Sequence, residues 1–64
     1  MNEKLTSIYN EFHRYIYHLC LKLTRNTSEA EDLVQEVWVK VVRYEDNLTE
    51  VDHVKAWLTT ITMN

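Results

Sequence analysis

Glu50 and His53 come nearest to a metal-ligating pair in this 64-residue chain. The run Glu50-Val51-Asp52-His53 has the Glu-x-x-His spacing of carboxylate-bridged di-iron bundles. Such centres need two of these motifs and further carboxylates, and this chain carries one. His13 and His18 are five residues apart and project from different faces of a helix, so they cannot share a metal ion there. Cys20 follows Ile16 by one helical turn on an apolar face, the setting of a buried small hydrophobe rather than a nucleophile. Without a single glycine, no phosphate-cradling loop can form. No catalytic constellation remains, and we expect neither an enzyme nor a bound cofactor or metal. What is left is a recognition pattern: Asp32, Gln35, Glu36 and Val39, spaced i, i+3, i+4 and i+7 along one helix face. Carboxylates in such an array steer a basic partner and set register. On an anonymous helix the same stripe is ordinarily solvated surface.

The elements that would carry these residues are helical. Glycine and proline are both absent, although together they make up roughly an eighth of average sequence. Their absence removes the commonest helix breakers and tight-turn formers. A first helix is predicted from Asn2 to Thr24. Its apolar face is Leu5, Ile8, Tyr9, Phe12, Tyr15, Ile16, Leu19, Cys20 and Leu23, at a period of about 3.6 residues. Arg25 to Ser28 breaks it. Either Asn26 with Glu29 or Ser28 with Glu31 can form a capping box for the second helix. That helix runs to Tyr44, with Ala30, Leu33, Val34, Val37, Trp38, Val41 and Tyr44 facing the core. Val39 and Val42 lie outside that face. Glu45 to Asp52 has no regular period. Asp52 is the expected N-cap of a third helix whose apolar face is Val54, Trp57, Leu58 and Ile61. The expected fold is all-α, a compact bundle of three helices with the third cut short at Asn64.

Charge narrows the partner. Residues 1–25 carry four cations against two acids, residues 26–50 two cations against seven acids, and residues 51–64 one of each. A generic duplex-DNA binder is basic throughout; this chain, at a net −3, is not. Its acidic middle fits a basic protein partner. A chain this short buries only about 60% of its unfolded surface, and its one cysteine forms no internal disulfide. The polar N-terminus is not a signal peptide, and no run is long enough to span a bilayer. A soluble cytoplasmic chain without membrane insertion is expected.

The stretches SEAEDLVQEVWVKVVRYEDNL and VKAWLTTITMN, at this distance from each other, resemble region 2 of bacterial RNA polymerase sigma factors, most closely the extracytoplasmic-function group. LTSIYNEFHRYIYHLCLKLTRN is similar, more loosely, to the first helix of that domain. The resemblance covers essentially residues 1–64 as one region-2 domain, with no region-4 domain for the minus-thirty-five element. It implies transcription initiation: docking on the clamp helices of the polymerase β′ subunit, and recognition and melting of the minus-ten promoter element as single strand. Carried over, Asp32, Gln35, Glu36 and Val39 are polymerase contacts. The DNA contacts are Asn47, Leu48, Thr49 and His53 in the pocket-forming loop, with Thr60 and Asn64 on the third helix; Asn64 would face a flipped base. An amide offers both donor and acceptor to a base edge, and a snug pocket must offset a few kcal/mol of base extrusion. This chain departs from the family in its loop, which has Leu48 and no glycine where an aromatic and a glycine are frequent. The basic residues that usually follow on the third helix are also missing here, so DNA binding should depend on the assembled polymerase. An anti-sigma factor is the further partner implied. The alternative is a sigma-like interaction module that works through such a regulatory protein without touching DNA.

Overall fold

The first helix starts where an amide can cap it. In the computed structural model, which describes residues 2–64, Asn2 is extended and its side-chain oxygen accepts from the Lys4 and Leu5 amides at 2.8 and 3.2 Å. Helix α1 then spans Glu3–Thr24. It buries Leu5, Ile8, Ile16 and Cys20, with Phe12, Tyr15 and Leu21 packed against the same core. Arg25 ends it in the left-handed conformation, at φ 56° and ψ 26°, with its amide on the Leu21 carbonyl. Glycine is the usual occupant of such a position; this chain has none to place there.

Of the two capping pairs open in the sequence, the structure uses Asn26 with Glu29. The Asn26 side-chain oxygen accepts from the Glu29 amide at 3.0 Å. The reciprocal half of a capping box is replaced, because the Asn26 amide donates to the Thr24 hydroxyl at 3.4 Å. Helix α2 runs over Thr27–Arg43 and buries Ala30, Val37 and Val41, with Leu33, Val34 and Trp38 half-buried. Tyr44, expected at the end of its core face, is 51% exposed, because α2 has ended and the chain has turned.

The segment expected to be irregular is a 3-10 helix over Glu45–Glu50. Its apolar hold is one side chain. Leu48, flanked by polar residues, is fully buried in the common core. Burying one leucine is worth about 1.5–3 kcal/mol, the main apolar gain of a six-residue turn that has no side-chain cap.

Helix α3 spans Val54–Met63. Its N-cap is His53, without a side-chain cap bond, and not Asp52, which stands exposed in a bend one residue earlier. Leu58 is the fully buried contact of α3. Thr62 is buried too, a position the apolar periodicity passed over. Its hydroxyl donates to the Leu58 carbonyl at 2.8 Å, so this hydroxyl is not left orphaned in the core. The three α-helices and the 3-10 turn enclose one core, an all-α bundle as expected. The ten residues of α3 span about 15 Å and cover only part of α1. Leu23, on the apolar face of α1, remains 44% exposed.

Candidate functional site

Helix α2 turns two edges outward. Asp32, Gln35, Glu36 and Val39 are all exposed and line one shallow surface, with Lys40 and Arg43 at its C-terminal end. Side chains three and four apart on a helix are neighbours, and no buried residue interrupts this row. Gln35, Val39 and Arg43 also line an adjoining groove. That groove is apolar: Tyr9, Val34, Trp38, Val39 and Val42 form its walls. Val39 and Val42 are 50% and 49% exposed. The outer face of α2 is therefore one continuous surface, acidic along Asp32 and Glu36 and apolar along Trp38 and Val42.

The groove is the part that sequence reasoning missed. Trp38 follows the core periodicity and reads as interior, but it is half-buried and forms a wall. Tyr9 from α1 meets it edge-to-face, with ring centroids 5.0 Å apart. His13 stacks on Tyr9 at 5.1 Å, and its Nδ1 donates to the Tyr9 carbonyl at 3.0 Å. This aromatic row stiffens one wall of the groove. The signal was present in Val42, a β-branched residue off the core face with no packing reason to be there. The indole N–H of Trp38 is buried without an acceptor among the described residues. Such a group costs about 1–3 kcal/mol.

The residues expected on DNA divide. Asn47 and Thr49 are exposed on the 3-10 helix, and His53, Thr60 and Asn64 are exposed on and beside α3. Leu48 is a correction: its side chain is fully buried and offers no surface to a base. In the amphipathic 3-10 turn its neighbours face solvent and it faces the core. Thr60 and Asn64 lie one turn apart on the same face, joined by the Asn64 amide donating to the Thr60 carbonyl at 3.1 Å. The Thr60 hydroxyl is engaged with the Ala56 carbonyl at 3.0 Å, which leaves its lone pairs for a ligand donor. His53 lines a separate shallow depression with Tyr15, Lys55 and Thr59.

Among the described residues no group of three or more His, Cys, Asp or Glu side chains could hold a metal ion. Cys20 is free and fully buried, and burial pushes its thiol pKa up. Among the described residues no helix is long and apolar enough to cross a membrane.

Residues 8–64 match the family described as sigma-70 region 2. The match takes in most of α1 and all of α2, the 3-10 helix and α3. The chain belongs to that family of non-enzymatic transcription-factor domains. Membership gives it a role in transcription initiation through RNA polymerase. Comparison with curated proteins and with solved structures gives no match.

Proposed function

We propose that this domain docks on RNA polymerase through the outer face of α2, against the clamp helices of the β′ subunit, as an extracytoplasmic-function type of sigma region 2. The observation that carries the reading is the continuity of that face. An acidic row (Asp32, Glu36) and an apolar groove (Trp38, Val42) share Gln35 and Val39. A basic, amphipathic helix pair fits such a surface: apolar side chains enter the groove and cations meet the acids, which also steer the encounter. The exposed side chains between Asn47 and Asn64 then face promoter DNA, with Asn47, Thr49, His53, Thr60 and Asn64 as its contacts. The strand is the minus-ten element, melted and held as single strand. Work on the polymerase places the chain in the cytoplasm.

The test is calorimetric titration of the chain with an isolated β′ clamp-helix fragment at two salt concentrations. Saturable binding that weakens with salt is expected. The Gln35→Ala, Glu36→Ala double variant should lose about tenfold or more in affinity, since Gln35 lies on the shared edge and Glu36 in the acidic row beside it. Unchanged binding in a folded double variant sinks the assigned interface.

A further inference from the structure

Tyr15, Lys55 and Thr59 form a closed set between α1 and the first turns of α3. The Tyr15 hydroxyl and the Thr59 hydroxyl oxygen are 2.7 Å apart. Thr59 spends its only hydroxyl hydrogen on the Lys55 carbonyl, at 2.8 Å. The Tyr15 phenol is therefore the donor in the first bond. The bonds run in series, Tyr15 to Thr59 to the Lys55 backbone, an arrangement in which each polarises the next. The Lys55 ammonium lies 4.6 Å from the centroid of the Tyr15 ring, in cation–π range. One tyrosine of α1 thus holds both the backbone and the charged tip of one lysine of α3.

That lysine has an unusual neighbourhood. From Tyr44 to Asn64 it is the only Lys or Arg, against Glu45, Asp46, Glu50 and Asp52. It is exposed, and it lines the same shallow depression as His53. A strand carrying one negative charge per nucleotide meets repulsion along most of this segment and attraction at Lys55. Lysine is a flexible point charge that loses rotamer freedom when fixed on a phosphate. The Tyr15 ring has already removed part of that freedom.

We propose that Lys55 is the phosphate anchor of the DNA-facing segment, and that Tyr15 is the positioning residue that presents it. The proposal rests on the reading that residues 47–64 face a promoter strand. It goes beyond that reading by assigning two residues outside the expected DNA contacts, one of them on a different helix.

The test uses the chain bound to RNA polymerase core. The probe is a fluorescent single-stranded oligodeoxynucleotide, selected from a random pool on the unmutated complex and titrated over a salt series. Lys55→Gln should lower the slope of log affinity against log salt by about 0.7, the value for one single-strand phosphate contact. Tyr15→Leu, with Lys55 in place, should weaken binding several-fold, and adding Lys55→Gln to it should change little further. Tyr15→Phe keeps the ring and should keep most of the slope. A residue that only packs α1 on α3 would lower the melting temperature without coupling to the Lys55 slope. If Tyr15→Leu does not fold, Tyr15→Met, which likewise removes the ring under the Lys55 ammonium, replaces it in the cycle. A Lys55→Gln slope equal to the unmutated one overturns the anchor, and fully independent Tyr15 and Lys55 effects overturn the positioning. If the unmutated complex enriches no oligonucleotide while clamp-helix docking holds, the DNA-facing reading falls, and this proposal with it.

Discussion

The side chain of Asn2 joins the start of α1 to Glu45, the first residue of the 3-10 helix. Its Nδ2 donates to the Glu45 carbonyl at 3.3 Å, while its Oδ1 caps α1. The two functions can be separated. Asn2→Asp keeps the capping acceptor and loses the donor. Asn2→Ala loses both, at about 1–2 kcal/mol. In Asn2→Asp the amides of Asn47 and Val51, which close the 3-10 turn on Tyr44 and Leu48, should exchange with solvent faster than in the unmutated chain. Those of α1 should not. Unaltered exchange at Asn47 and Val51 would show that the tether carries nothing.

Leu48 is the anchor of the same turn. Leu48→Ala should cost about 2–5 kcal/mol, the range for a leucine removed from a close-packed core. Asn47→Ala and Thr49→Ala, at exposed positions on either side, should stay within about 0.5 kcal/mol. A domain of this size has only a few kcal/mol in hand, so Leu48→Ala should be largely unfolded at 37 °C. Thermal denaturation followed by circular dichroism decides. A Leu48→Ala melting curve that overlays that of Asn47→Ala would contradict the burial.

The helices were legible because their signals are local. The α1 and α2 apolar rows, the candidate caps Asn26 and Ser28 and the break at Arg25 can all be read within a few residues, whereas the Asn2 cap, counted as part of the first helix, was not seen. Leu48 could not be placed this way. A lone leucine in EDNLTE has no period, and only the three-dimensional closure of the bundle decides that it points inward. The same holds for Trp38, whose spacing says core while the groove beside it leaves one side open. Thr62 was hidden for a different reason: a threonine enters a core when its hydroxyl finds the carbonyl one turn back. In the site, the stripe from Asp32 to Val39 was visible because all its members sit on one helix. The groove and the Tyr15–Lys55 contact were not, since each needs a residue from α1 whose distance from α2 or α3 the sequence does not record.

Arg25 gives a prediction of opposite sign. A residue with a Cβ in the left-handed region costs about 1–2 kcal/mol relative to glycine. Glycine returns part of that through the greater freedom of its unfolded chain. Arg25→Gly should therefore stabilise the domain, by up to about 1 kcal/mol, as a rise in melting temperature of several degrees. Arg25→Val, β-branched at positive φ, should do the reverse. If Arg25→Gly lowers the melting temperature, the Arg25 side chain contributes more than its backbone strain removes.

Burial of Cys20 predicts an alkaline dependence. Its thiol pKa is raised in the fold because desolvation disfavours the thiolate. In the unfolded chain the thiol ionises from about pH 9. Above that point the native state holds more protons than the unfolded one, so stability falls as pH rises. The contribution is fully present below the unfolded value and is lost as pH climbs through the folded one. Cys20→Ala should be less stable at neutral pH, since it leaves a small cavity. It should also lose stability less steeply above pH 9 than the unmutated chain. A disulfide reagent should label Cys20 only as fast as the core opens. Immediate labelling in the folded chain would contradict the burial.

Val42 separates docking from folding. It is 49% exposed on the groove and lies off the core. Val42→Glu should leave stability within about 0.5 kcal/mol, because no buried contact is lost. On the proposed docking it puts a carboxylate where an apolar side chain of the clamp helices would sit, and a desolvated charge without a partner is strongly unfavourable. Clamp-helix affinity should then fall by at least tenfold. Val42→Leu, which enlarges the apolar wall, should bind at least as well as the unmutated chain. The acidic row makes a contrasting demand. Asp32→Asn should reduce chiefly the association rate and the salt dependence, as for a charge at the rim of an interface, whereas Val42→Glu should raise the dissociation rate. Stopped-flow binding at two salt concentrations measures both. A Val42→Glu variant that docks normally would confine the interface to the Asp32–Val39 row and leave the groove outside it.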